Sequence, residues 1–299
     1  MLLIVETAVK LGCIYALVSL ALYLSFRILN IADMTTDGCF VLGGAVSVVC
    51  ALHGHPVAGI VMAMIAGSLA GLITAVLQTR LGVPSILAGI ITNTGLYTIN
   101  LAVMGWSSNV SLLKADTVFS LFKGLTHNKY SDLLLCLMIT VLIIVLVRLF
   151  LSTRLGLSIR ATGDNPDMVA ASSIDPGKMI RIGLCLSNSL TALSGALACQ
   201  LQRSADMNAG TGIVVIGLAC LVIGETLLNG RKSLLRNIAA CLVGSIIYRL
   251  IYAFILKTHV IPIDCLKLMT ACIVAIAIGF PTISDTFSYK MKERKETGC

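Results

Sequence analysis

Three carboxylates stand where the surrounding chain is too apolar to give them obvious solvent. Asp33 and Asp37 lie in Arg27-Ile28-Leu29-Asn30-Ile31-Ala32-Asp33-Met34-Thr35-Thr36-Asp37-Gly38, and Glu225 lies in Ile223-Gly224-Glu225-Thr226-Leu227. A charge at the centre of a bilayer costs about 2.5–3.5 kcal/mol even on the mildest insertion scale, so each such group must pair, cap a helix or meet a solute. Asp33 and Asp37 can cap a half-helix that begins at Gly38 or pair with Arg27. Glu225 can pair with the basic Arg231-Lys232 loop that follows it. A second polar set, Asn93, Thr94, Thr98 and Asn100 with Gly89 and Gly95 among them, interrupts another apolar stretch. Neutral polar groups in hydrocarbon need partners, so these should face other helices, water or a solute. Asn30, Asp33, Thr36, Asp37, Gly38, Asn93 and Asn100 are therefore the candidates for lining a path through the molecule.

Hydrolytic and redox chemistry find no footing. Gly224 to Ser233 has the outline of a phosphate-binding loop, but that loop needs four residues between its glycines and lysine directly after the second. Here five residues separate Gly224 from Gly230, and Arg231 precedes Lys232. His53 and His55 flank a loop glycine and belong to no paired-histidine or triad pattern. The 11 cysteines are scattered through apolar stretches without a C-x-x-C pair, as small packing residues are. No catalytic residue, metal ligand or bound cofactor is assigned to this chain.

The elements that must position these groups follow from composition. The chain has 299 residues, 57% hydrophobic and only 12% charged, with a mean hydropathy of +0.96. Two soluble domains are excluded, since soluble domains average about a quarter charged residues. Apolar blocks such as Leu133 to Val147 approach the roughly 20 residues that a helix needs to cross a bilayer. They do not alternate as barrel strands would. The fold class is all-α: a polytopic helical membrane protein with a single transmembrane domain over 1–299.

Spans are expected at 2–26, 38–53, 57–79, 83–105, 132–151, 179–202, 212–229, 237–256 and 266–283. The net charge of +8 resides in short gaps and in the tail Lys290 to Lys295, which is a positive-inside pattern and excludes a nucleic-acid partner. Arg231, Lys232 and Arg236, with the tail 284–299, mark the cytoplasmic side. Counting back places the loop 152–178 inside and Trp106 to Ser131 outside. The count is eight or nine: either 38–53 spans fully and the N-terminus is outside, or it is a re-entrant half-helix and the N-terminus is inside. Ala32-Asp33-Met34 before Gly38 also echoes Ala205-Asp206-Met207 before Gly210 and Gly212, which leaves an internal repeat and coincidence both open.

Within 152–178, Asn165 is a good helix cap, Pro166 suits the first helical position and Asp167 suits the positive end of the helix dipole. The spacing predicts a short helix over 165–174 with Met168, Ala170, Ala171 and Ile174 on its apolar side. It serves either as a docking element or as an amphipathic connector on the membrane surface.

The stretch from Arg160 to Ile174 resembles the cytoplasmic loop of branched-chain amino-acid and ribose type ABC transporter permeases. Arg160, Ala161, Gly163, Asp164, Asn165, Pro166, Ala170 and Ile174 match its pattern, and Ser173 stands where the family often has glycine. Arg27 to Gly44 is similar to the segment after the first helix in that family, and closer still to its tryptophan/tyrosine transport permeases. The resemblance implies an importer subunit in the bacterial cytoplasmic (inner) membrane, paired with a second permease copy as a homodimer. It implies cytoplasmic ABC ATPase subunits that carry ATP and magnesium, and an extracytoplasmic solute-binding protein. Arg160, Gly163, Asp164, Asn165, Pro166, Met168, Ala170 and Ile174 would couple to the ATPase. The implied solute is small, an aromatic amino acid such as tryptophan or tyrosine. The competing classes are an ion-gradient-driven transporter or channel working through Asp33, Asp37 or Glu225, and, third, a membrane enzyme.

Overall fold

A computed structural model describes residues 2–113, 115–126, 130–228 and 233–257, with 271, 272, 275 and 279 beyond them. In chain order, α1 covers Leu2–Leu22 and runs on as a π-helical turn, Tyr23–Ile28. Then come α2 (Thr36–Leu52), α3 (Pro56–Thr79) and α4 (Ser85–Val103). Strand β1 (Asn109–Ser111) and α5 (Val118–Thr126) precede α6 (Ser131–Leu151). α7 (Arg154–Asp164) and α8 (Pro166–Ala171) lead into α9 (Pro176–Gln202). Strand β2 (Ser204–Asp206), a 3-10 turn (Met207–Gly210), α10 (Ile213–Leu228) and α11 (Leu234–Lys257) complete the described chain. Among the described residues, seven helices are long and apolar enough to cross a membrane, and α2 is a shorter apolar one. The chain is a multi-pass membrane protein. The span expected at 266–283 lies largely outside the described residues.

α9 is the axis of the packing. At 27 residues it is about 40 Å long, more than the roughly 30 Å of a hydrocarbon core. In its most apolar window 83% of residues are buried, against 22% for α6, which turns its leucines and valines to lipid. Glycine permits the close approaches around α9. A β-carbon at Gly195 would run into the Phe40 carbonyl of α2, and one at Gly67 or Gly71 of α3 would meet the α9 backbone at Asn188 or Leu184. Lipid tails are as apolar as leucine, so helices associate through such intimate contacts rather than by escaping solvent.

Contacts along α9 orient the helices that pack on it. At one end, Leu29 packs on Gly183, and Gly163 of α7 packs against Ile28 and Leu29, so the end of α1, the α7–α8 loop and the start of α9 share one face. At the other end Gln200 donates to Ser47 (2.7 Å) and to the Pro56 carbonyl (3.0 Å), and accepts from the Val118 amide (2.8 Å). That one side chain ties the end of α2, the start of α3 and the start of α5 to the far face. There β1 and β2 also pair, antiparallel. Residues 29–52 thus carry the chain from one face to the other, without regular structure to residue 35 and helical after it. The first half of α1 lies toward the face opposite the α7–α8 loop, since Lys10 reaches Asp132 (3.7 Å) at the start of α6, whose other end leads into α7.

Candidate functional site

The segment 203–212 enters between α2 and α4, and the three elements enclose a cleft of about 350 Å³. α2 contributes Asp37, Gly38 and Val41; α4 contributes Asn93, Thr94, Tyr97 and Asn100; the α9–α10 connection contributes Met207, Asn208, Gly210 and Thr211. Asn93, Tyr97 and Asn100 recur at i, i+4 and i+7, which places them on one helical face. Asn100 is 1% exposed and donates its side-chain amide to the Gly38 carbonyl (3.1 Å). A β-carbon at Gly38 would strike the amide oxygen of Asn93. Gly38 is therefore needed for close approach rather than for its backbone freedom.

Asp37 is a cap, but not of its own helix. Its two oxygens accept from the backbone amides of Gly212 (3.0 Å) and Val214 (2.9 Å), at the entry of α10. These are among the first amides of a helix, which have no partner within it, and they form the positive end of its dipole. The carboxylate fixes α10 to α2 at the mouth of the cleft.

Of the seven path candidates, Asp37, Gly38, Asn93 and Asn100 meet in the cleft and the other three do not. Asp33 is fully buried, accepting from the Thr35 amide (2.9 Å) and the Asn188 side chain (2.7 Å of α9). Thr36 is buried and donates to the Asp33 carbonyl (3.3 Å). Asn30 is exposed at the far end of the non-helical segment that precedes α2, with a positive φ of 56°. Arg27 pairs with neither aspartate. It binds Glu225 through two guanidinium nitrogens, with Nε to Oε1 at 2.9 Å, so Glu225 is held by the end of α1; its expected partners Arg231 and Lys232 lie outside the described residues. Sequence reasoning missed Tyr97, Met207, Asn208 and Thr211.

The Ala-Asp-Met echo is structural. Three residues before each aspartate the chain turns through a left-handed residue, Asn30 (φ 56°) and Arg203 (φ 54°). Each aspartate then accepts from the amide two residues on, at 2.9 Å in both copies. In each case a helix ends, a short non-helical stretch follows, and a new helix begins within the molecule; one edge of the cleft is built from each copy.

On the loop face, Asn165 caps α8 by accepting from the amides of Asp167 and Met168 (3.1 Å each). Asp175 caps α9 through the Gly177 (2.9 Å) and Lys178 (3.3 Å) amides. The helix expected over 165–174 ends at Ala171. Its buried residue is Val169, with Ile174 partly buried, while Met168 (69% exposed), Ala170 and Ala171 face outward. The inversion follows from the stop: Ser173 has φ 62°, and the Ile174 amide returns to the Val169 carbonyl (3.2 Å), which turns Ile174 back beneath the helix. Arg160, Asp164 and Pro166 are exposed, and Gly163 is the half-buried point at which α7 meets α1.

Among the described residues no group of histidine, cysteine, aspartate or glutamate side chains could hold a metal ion.

A family model described as "Branched-chain amino acid transport system / permease component" matches residues 4–278. A tyrosine transport system permease protein of Clostridioides difficile (strain R20291) is 34% identical over 262 residues, 87% of this chain and 85% of that protein. An uncharacterized protein of Rickettsia prowazekii (strain Madrid E) is 34% identical over 285 residues, 92% of this chain and 97% of its own. A ribose import permease protein of Escherichia coli (strain K12) is 35% identical over only 95 residues, 32% of this chain and 29% of that protein. No solved structure matches the chain. With eight apolar helices among the described residues, a capped loop between α6 and α9 and a match that runs almost from end to end, the chain belongs to the branched-chain amino-acid and ribose type of ABC transport permeases.

Proposed function

We propose that this chain is the membrane-spanning subunit of an ATP-driven importer of a small solute, an aromatic amino acid such as tyrosine or tryptophan. Two copies form a homodimer in the bacterial cytoplasmic membrane. Cytoplasmic ABC ATPase subunits carry the ATP and magnesium, and an extracytoplasmic protein delivers the solute. The loop face, with 152–178 and the tail 284–299, is cytoplasmic. The relative named for tyrosine transport supports the choice of solute. An aromatic ring at Tyr97 and a thioether at Met207 in the cleft suit an aromatic side chain.

The observation that carries this reading is the α7–α8 loop. It is capped at Asn165, anchored by Gly163 on the end of α1, and it presents Met168, Ala170 and Asp164 outward. A surface anchored on the end of α1 is suited to pass ATPase motion to the non-helical segment 29–35, and through Asp37 to the cleft. Against gradient-driven transport, Glu225 is engaged by Arg27 and Asp37 by the start of α10, so both carboxylates have structural work. Cysteine introduced at Met168 tests the loop. It should crosslink to the ATPase subunit, whereas labelling by an impermeant thiol reagent from outside intact cells would overturn both the sidedness and the role.

A further inference from the structure

The acceptors around Gly38 exceed the donors offered to them. The Asn100 side-chain nitrogen donates to the Gly38 carbonyl at 3.1 Å, which settles the orientation of that amide. Its oxygen is then an acceptor, and it is buried with no partner although the residue lines the cleft. A buried acceptor left unmade is disfavoured unless something supplies the missing donor. The Asn93 oxygen stands over Gly38, in the space a β-carbon would fill. Each Asp37 oxygen takes one backbone amide; a carboxylate has about four lone-pair sites, so it retains acceptor capacity. The hydroxyl of Thr94 is turned back to the Ile90 carbonyl (2.8 Å). No lysine, arginine or histidine is among the described lining residues.

We infer that the cleft holds an ammonium subsite, formed by Asp37, Asn93 and Asn100 around Gly38, that selects solutes presenting a cationic amino group. An ammonium has three donors and no acceptor, which complements one carboxylate and two amide oxygens. An anion finds no cation here. A neutral polyol can hydrogen-bond but gains nothing from the charge of Asp37. The subsite rests on the reading of the cleft as the solute path, and it extends that reading by making the permease itself discriminate.

The test uses the purified full-length chain in lipid nanodiscs and two probes, tyramine and 4-ethylphenol, which share a phenol ring and a two-carbon arm and differ by the ammonium. Binding is followed by saturation-transfer NMR titration. The wild type should prefer tyramine at least tenfold. Asn100→Leu should reduce the preference to within twofold. Asn93→Asp, a near-isosteric change at a half-buried position, should raise it threefold or more. Equal binding of the probes by the wild type, no binding of tyramine, a preference that survives Asn100→Leu, or one unmoved by Asn93→Asp overturns the subsite. ATP-driven uptake of L-tyrosine by the complete complex is measured in parallel. A tyramine preference without tyrosine uptake supports the subsite and removes tyrosine as the solute. Uptake without that preference removes the subsite and leaves the importer standing.

Discussion

Asp37 offers the sharpest perturbation, because its two oxygens serve two different amides. In Asp37→Asn the side chain keeps one acceptor oxygen, so it can satisfy Gly212 or Val214 but not both, and its NH2 group faces the amide left over. The change looks conservative for a cap that makes a single bond. Here it is not. An unmade donor costs about 1–3 kcal/mol when buried, and water from the cleft can reach this site, so the low end applies. Asp37→Asn should cost about 1 kcal/mol, and Asp37→Ala, which frees both amides, about 2–3 kcal/mol. Reversible unfolding of the purified permease in mixed micelles, titrated with SDS, measures both. Hydrogen exchange should place the loss in the first turn of α10 rather than in α2. If both variants unfold within about 0.5 kcal/mol of wild type, the size of an ordinary neutral surface change, or if protection is lost in α2 instead, then Asp37 does not cap α10.

Two further perturbations follow from the loop face. Gly163→Ala drives a β-carbon into the Ile28 carbonyl, so α7 must leave the end of α1. Overall helix content by circular dichroism should be unchanged while ATP-driven uptake falls at least tenfold; unimpaired uptake would mean that this contact carries no motion. Ser173→Gly relieves a left-handed serine. That conformation costs an L-residue roughly 1–2 kcal/mol and glycine's lost entropy returns part of it, for a net gain of about 0.5–1 kcal/mol. Loop cleavage by protease in inside-out vesicles should slow about two- to fivefold, and faster cleavage would contradict the assigned turn.

The helices were legible because hydrocarbon imposes a simple rule, long apolar stretches with helical backbone. α3 and α6, expected at 57–79 and 132–151, form as Pro56–Thr79 and Ser131–Leu151. What hydropathy could not read were elements too short or too polar to register as spans: the nine-residue amphipathic α5 inside the loop 106–131, α7 ahead of Asn165, and the β1–β2 pair, whose partners are far apart in the chain. Helical periodicity carried Asn93 and Asn100 into the cleft, and it would also have carried Tyr97, four residues after Asn93. Asp37 was visible as a cap but not as a cap of α10, since its bonds span 175 and 177 residues. Asn208 and Thr211 had a signal in the Ala-Asp-Met echo, a three-residue match too short to distinguish from coincidence without geometry. The face of α8 was inverted because a six-residue helix is oriented by its left-handed stop at Ser173, which a periodicity argument does not include.

ATP dependence is the most direct test of the whole account. The chain is reconstituted in proteoliposomes with its ATPase and solute-binding protein, and labelled L-tyrosine uptake is followed with ATP or a non-hydrolysable analogue on the cytoplasmic side. The account predicts accumulation with ATP alone, unaffected by ionophores that collapse proton and sodium gradients, and absent when the ATPase carries a substituted P-loop lysine. Uptake by the permease without the ATPase, driven by an imposed ion gradient and insensitive to ATP, would contradict it.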